Sequence, residues 1–364
     1  MSAEAPAALV CPNCGAAAVA GDRFCEACGA DLPFTEPPAA EPAPAAATGP
    51  ACPSCGADAS QFVDGYCGVC GMKQPAPRDH TELAFDRAAA VSDKGRKHYR
   101  NEDAFVLHVE GDDPVIAVVC DGVSSTVNPD VASQAAADAA LVVLLAGPDG
   151  DDLPTRLTAA HAAAQAAAAA TEGQPQPPDL GWPSCTFLAG VVERTGATLA
   201  TMGDCRAFWL PAEGEAQAVT EDDSWAAEKI AAGALTPEEA YAHPLSHTIT
   251  RWLGHDADAS WQPRIARFDF PGPGRFLLVS DGLWNYAETG PEVAAAAGDG
   301  PPLDVARRLV EFANAAGGHD NITVVVVTVD SVDAVSTVDS VDAVSTVDPA
   351  PPDQPKDDLT KGSP

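Results

Sequence analysis

Four Cys-x-x-Cys pairs ahead of residue 71 constrain the fold more tightly than any other feature of this chain. They are Cys11/Cys14, Cys25/Cys28, Cys52/Cys55 and Cys67/Cys70, and a glycine follows each. Segments this short cannot bury a core large enough to hold themselves together, so something else must staple them. A Cys-x-x-Cys turn sets two thiolates about one tetrahedral edge apart, and the trailing glycine lets backbone N–H groups turn toward sulfur. Two such turns close a four-sulfur zinc site with no open position for catalysis. Redox dithiols are the competing reading, and the near-equal spacing of all four pairs favours two structural Zn²⁺ ions.

These modules, residues 9–32 and 51–73, resemble the double zinc ribbon found on many regulatory proteins. A Pro/Ala-rich linker at 33–50 separates them, and a second linker is expected at 74–84. From 85 to 330 the pattern changes to alternating strand-like and helix-like segments, a span that one large domain can fill. Val115–Cys120 and 275–280 are short apolar runs at Asp-Gly turns, which predict buried strands. Pro129–Ala146 and 153–171 are Ala-rich and of helical length, with Asp130 and Thr155 expected in their first turns. Residues 186–192, 197–202 and 205–210 read as strands, 303–316 as an amphipathic helix stopped by Gly317-Gly318, and Ile322–Val329 as a β-branched strand. The nonapeptide SVDAVSTVD then occurs twice within 331–364, an acidic stretch read as a disordered tail.

A formal charge of −33 argues against nucleic acid as a general partner. The start has no basic segment followed by an apolar one, and no apolar run approaches the length that spans a bilayer, so a cytoplasmic protein without a membrane partner is expected. Cys120, Cys185 and Cys205 fall in strand-like contexts and read as buried thiols. None begins a Cys-x5-Arg phosphatase loop, because Thr126, Val191 and Pro211 occupy the required Arg positions.

Carboxylates cluster at strand ends in Arg100-Asn101-Glu102-Asp103, Cys120-Asp121-Gly122, Ser280-Asp281-Gly282 and His319-Asp320-Asn321. In this order the motifs resemble the metal-dependent serine/threonine protein phosphatases of the type 2C (PPM) family. Residues 184–186, 203–206, 220–224 and 250–254 support the resemblance. It implies an α/β fold, a two-sheet β-sandwich flanked by helices, with a centre of two Mn²⁺ or Mg²⁺ ions. By that resemblance Asp121 would bridge both ions and Gly122 would ligate through its carbonyl. Glu102, Asp281 and Asp320 would complete the second ion, Asp103 would orient the attacking water, and Asp204 would serve a weaker third ion. Hard oxygen ligands suit these ions as sulfur suits zinc.

The chain departs from the family pattern at three places. His98 stands where the family carries an Arg that contacts substrate phosphate, within a basic run of Lys94, Arg96, Lys97 and Arg100. Val123-Ser124-Ser125 replaces Met-Gly-Gly or His-Gly-Gly, and Val123 cannot donate a proton. Asn285 replaces an additional Asp. Residues 225–244, with their Leu-Thr-Pro-Glu-Glu run, resemble the flap of bacterial members, whereas Asp256-Ala-Asp258 follows no buried strand and carries no nucleophile. The resemblance therefore implies hydrolysis of phosphoserine and phosphothreonine in proteins, opposing protein kinases, without a phosphoenzyme. Its substrates would be phosphoproteins, and a protein partner would engage the ribbons. The alternative is a catalytically weak scaffold that presents its ribbons to that partner.

Overall fold

The computed structural model describes residues 9–10, 13–15, 17–18, 28, 30, 51–52, 55–109, 111, 113–146, 152–173 and 180–330. Cys11, Cys25, the 33–50 linker and the repeated tail lie outside these. The chain divides into two compact units, 1–75 and 76–364.

In the first unit, Leu9–Val10 pairs with Ala17–Ala18, and Phe62–Val63 pairs with Tyr66–Cys67. The Gly56 N–H donates to the Cys52 carbonyl and the Gly71 N–H to the Cys67 carbonyl, each at 2.8 Å. Both glycines have positive φ, 72° and 75°, a region open to glycine at little cost. The two turns bring Cys52, Cys55, Cys67 and Cys70 together with their sulfurs within 4.8 Å of one another. Cys52 Sγ lies 3.5 Å from Cys70 Sγ, and Cys55 Sγ lies 3.7 Å from Cys67 Sγ. Sulfurs bound at about 2.3 Å around one zinc sit roughly 3.8 Å apart, so the set fits that ion. The Met72 N–H holds the Cys70 thiol below its usual range. Cys55 receives the Ala57 N–H, which lowers it, yet the sulfurs around it and burial push it up to about 12. Four thiols this close cannot all ionise without a cation among them.

In the first ribbon, two of the four expected zinc ligands, Cys11 and Cys25, lie outside the described residues. Of its four expected ligands, Cys14 and Cys28 are described, and both are exposed. The Asn13 side-chain amide donates to Cys28 Sγ at 3.7 Å.

The second unit is built on β1 (His80–Ala84), β2 (Ala88–Asp93), β3 (Ala104–Val109), β4 (Val115–Cys120), β5 (Phe187–Glu193), β6 (Gly196–Met202), β7 (Arg206–Pro211), β8 (Gln217–Ala218), β9 (Arg264–Asp269), β10 (Gly274–Val279) and β11 (Ile322–Val329). Among the described residues these form two antiparallel sheets, ordered β9-β6-β5-β4-β3 and β8-β7-β10-β11-β2-β1. The inner faces meet in a core that includes Val119, Leu188, Leu199, Trp209, Phe276 and Val325. Helices α1 (Pro129–Ala146) and α2 (Leu153–Ala169) cover the five-stranded sheet. Two short helices, α3 (Trp225–Ala231) and α4 (Pro237–Tyr241), lie in the flap-like segment. Helices α5 (Asp281–Trp284), α6 (Gly290–Ala297) and α7 (Pro302–Ala316) cover the other sheet. Central strands are thus buried on both faces, which is why Val115–Cys120 is an unbroken apolar run.

Two expectations change in this unit. The linker at 74–84 contains β1, which pairs with β2 from His80↔Asp93 to Ala84↔Ala89, so the folded domain starts ahead of residue 85. β1 is a largely exposed edge strand and shows no apolar alternation to read. Helix α1, by length and composition alone, could cross a bilayer. Its Ala132, Ala136, Ala140 and Leu144 instead belong to the core shared with α2 and the sheet.

β1 is tied to α7 through Glu82, whose carboxylate receives the Arg307 guanidinium, with the Nε contact at 2.8 Å. That hydrogen bond, chiefly, holds Glu82 at about 2. A carboxyl depressed by folding contributes stability above its unfolded pKa and loses it as pH falls toward the folded value. Both partners are partly exposed, so Glu82→Gln should cost only about 0.5–1 kcal/mol at neutral pH. The difference from wild type should vanish as pH falls from about 4.5 toward 2, as urea denaturation across that range would show.

Candidate metal centre

The carboxylates gather because the strands that carry them terminate at one end of the sandwich. Glu102 and Asp103 precede β3, Asp121 follows β4, Asp204 follows β6, Asp281 follows β10 and Asp320 precedes β11. Asp121, Asp204, Asp281 and Asp320 line a cleft of about 290 Å³ together with Gly122, Ser124, His247 and Ile249, and Glu102 reaches its wall through Ser124. A larger hollow of about 640 Å³, lined by Phe85, Arg87 and Arg194 among others, has no such convergence of acids.

Close backbone approach explains the Asp-Gly pairs. A Cβ on Gly122 would stand 2.6 Å from the Glu102 carbonyl oxygen, and one on Gly282 only 1.9 Å from that of Asn321. Asn321 fastens the motifs together, accepting the Glu102 N–H at 2.6 Å and donating to the Lys94 and Arg100 carbonyls at 2.8 and 3.1 Å. Thr186 fixes Asp121: its Oγ1 accepts the Asp121 N–H at 2.9 Å, and its own N–H donates to the Asp121 carbonyl at 2.8 Å. Ser124, within the departing Val-Ser-Ser segment, donates to Glu102 Oε2 at 2.6 Å.

Crowding of like charges dominates the electrostatics. Burial, then Asp103, Asp281, Asp320 and Asp204, push the Asp121 carboxyl well above the usual range. Asp204 is raised by burial and then by Asp281 and Asp222. Burial and Asp320 raise Asp281 to about 6, against the lowering effect of its hydrogen bond with Asp121. Asp204 Oδ1 and Asp281 Oδ1 are buried without a partner. Oxygen donors left unmatched in this way fit hard divalent cations, which would lower these pKa values by charge.

Asp103 does not line the cleft. It is buried behind the wall, where its Oδ2 accepts the hydroxyls of Ser280 and Thr323 at 2.8 and 2.7 Å, and burial raises it to about 7. His98 stands at the rim, 3.2 Å from Asp320 and 3.7 Å from Glu102. Arg100 donates to Glu102 at 3.0 Å and pairs with Asp130 at 3.4 Å. Asn285 donates to Asp281 Oδ2 at 3.1 Å. Sequence reasoning missed Arg78, which donates to the Asp103 carbonyl at 2.8 Å from inside the expected linker.

The Protein phosphatase 2C family model matches residues 94–302, more than half of the chain. The chain belongs to that family. A Double zinc ribbon model matches residues 11–71, a span that includes Cys14 and Cys28 as well as the assembled cluster. Among protein phosphatase 2C relatives, serine/threonine protein phosphatase PstP of Mycobacterium tuberculosis is 34% identical over 256 residues, covering 68% of this chain and 46% of PstP. Protein phosphatase PhpP of Streptococcus pneumoniae is 40% identical over 139 residues, covering 38% of this chain and 55% of PhpP. The chain thus spans about half the length of these curated relatives. A crystal structure of M. tuberculosis PstP superposes with TM-score 0.56 at 32% identity, covering 67% of this chain and 98% of that one. The PstP catalytic domain in complex with two manganese ions gives TM-score 0.54 at 31% identity, with 67% and 98% covered. The two-sheet sandwich flanked by helices is therefore this family's fold.

Proposed function

We propose that this chain hydrolyses phosphoserine and phosphothreonine in proteins, opposing protein kinases, with Mn²⁺ or Mg²⁺ as its catalytic ions. The observation that carries the reading is the convergence of Asp121, Asp204, Asp281 and Asp320 on one cleft, where burial and then the surrounding carboxylates, Asp103 first, raise Asp121. Asp121, Glu102, Asp281, Asp320 and the Gly122 carbonyl would hold two ions, and Asp204 a third. When bound, such ions acidify water and offset phosphoryl charge. Thr186 and Ser124 keep Asp121 and Glu102 in place, while His98 and Arg100 stand beside Glu102 to meet substrate phosphate. Cys120, Cys185 and Cys205 are fully or almost fully buried, and burial raises the Cys120 and Cys205 thiols, so a cysteinyl-phosphate route has no nucleophile among them.

The manganese-bound PstP catalytic domain supports the choice of ion. A structural zinc on Cys52, Cys55, Cys67 and Cys70 rests on their cluster. A second zinc, on Cys11, Cys14, Cys25 and Cys28, rests on the ribbon match alone. A cytoplasmic location belongs to the same reading, since eleven cysteines dominated by Cys-x-x-Cys pairs suit metal binding in a reducing compartment. A protein partner for the ribbons belongs to the same reading, since the second ribbon exposes Val63, Tyr66, Val69 and Met72. Release of phosphate from a phosphothreonine peptide tests the reading. It should require Mn²⁺ or Mg²⁺ and stop with excess chelator. A rate indifferent to chelator, or no release with either ion, would refute it.

A further inference from the structure

A serine or threonine oxygen leaves phosphorus as a strongly basic alkoxide, so its departure is faster when a positioned acid supplies a proton. Val123 has none to give, and the Ser124 hydroxyl is committed to Glu102. Of the side chains lining the cleft, one is an imidazole: His247. It is exposed to solvent, and among the described residues neither of its ring nitrogens meets a hydrogen-bond partner. The ring is nonetheless held in place. It lies 5.6 Å, centroid to centroid, from the buried indole of Trp284 at an interplanar angle of 31°. That indole is itself fixed, donating from Nε1 to the Asp204 carbonyl at 2.9 Å and carrying the Arg206 guanidinium 3.7 Å over its ring. The backbone around His247 is pinned as well, by the Trp225 N–H on the Thr248 carbonyl and the Thr250 N–H on the Asp223 carbonyl, both at 2.8 Å.

We propose that His247 is the general acid for the departing serine or threonine oxygen, an assignment that rests on the phosphatase reading above. Water forms the new bond to phosphorus as the phosphorus–oxygen bond to the side chain breaks. The leaving oxygen takes the proton from an imidazolium nitrogen of His247, and the proton released by the attacking water restores the imidazolium through solvent. His98 is placed differently, with both of its nitrogens facing the Glu102 and Asp320 carboxylates.

Leaving-group dependence tests this. Nitrophenolate departs without a proton at neutral pH, whereas a serine alkoxide does not. In the full-length Mn²⁺-loaded protein, His247→Gln should lower kcat on a phosphothreonine peptide about 10²-fold or more, while hydrolysis of p-nitrophenyl phosphate stays near wild type. His247→Phe keeps a ring against Trp284 without a proton and should show the same split. Mn²⁺ affinity by titration calorimetry should not change in either variant, which separates this role from ion binding. Equal losses on both substrates, a phosphopeptide rate restored by His247→Phe, or an unaltered phosphopeptide rate would each overturn the assignment. A wild-type protein inactive on both substrates would instead remove the phosphatase reading, and this proposal with it.

Discussion

Asp121→Asn should lower Mn²⁺-dependent phosphate release by at least about 10³-fold, the several kcal/mol of charge stabilisation that a bound ion supplies. The substitution preserves shape and the Thr186 contacts, which are made through the Asp121 backbone. It removes charge from the one carboxylate that the surrounding acids raise most broadly. Asp103→Asn should cost less, because Asp103 stands behind the cleft wall on Ser280 and Thr323. Chelator-treated Asp121→Asn should also melt higher than chelator-treated wild type, since one of several crowded negative charges is gone. A site built to bind cations is a strained one without them. Steady-state kinetics and thermal melts of both variants check this, and an Asp121→Asn protein with most of its activity would contradict the two-ion assignment.

Asp223→Ala should produce the largest loss of stability. This carboxylate is buried, with its side chain 1% exposed, and meets Arg251 at 3.2 Å and Arg264 at 2.8 Å. It also accepts the Gly203 N–H at 3.2 Å, beside Asp204. Removing one member of a buried ionic cluster leaves its partners uncompensated, a cost of about 3–5 kcal/mol. Arg264 is 46% exposed and can rehydrate, which places the expected loss near the lower limit, about 3 kcal/mol. For a domain of this size that lowers Tm by roughly 6–12 °C. Phosphopeptide hydrolysis should fall too, because the Asp223 carboxylate anchors Arg251, in the segment that carries His247. A melting shift under about 2 °C would show that this hub is not a structural one.

Legibility in the sequence followed burial. Val115–Cys120 and Ile322–Val329 coincide with the strands read from their apolar runs, because both are covered on two faces. β9 shows five exposed residues out of six, and β1 is similarly open, so neither left a periodic trace. β2 is half alanine, a poor strand former, and is a strand because β1 and β11 flank it. Thr155 sits in the first turn of α2 as expected, and the cap itself is Asp152, which accepts the Thr155 N–H at 2.8 Å. The Leu-Thr-Pro-Glu-Glu run contains a capping box of Thr236 and Glu239 that starts α4.

The acids were legible because each motif sets a carboxylate beside glycine or asparagine at a strand end. The residues that position them were not. Thr186 comes from 65 residues away in the chain, and Asp223, Arg78 and His247 reach the site only through sheet pairing and loop packing. Thr186 and Asp223 fall in segments 184–186 and 220–224 that carry the family resemblance, whereas nothing beside Arg78 or His247 marks a role.

Anomalous diffraction at the manganese edge from crystals grown with Mn²⁺ bears most directly on the central claim. Two strong peaks are expected in the cleft, both contacted by the Asp121 carboxylate, with the Gly122 carbonyl on one of them. A single peak away from Asp121, or no peak among Asp121, Asp281 and Asp320, would contradict it.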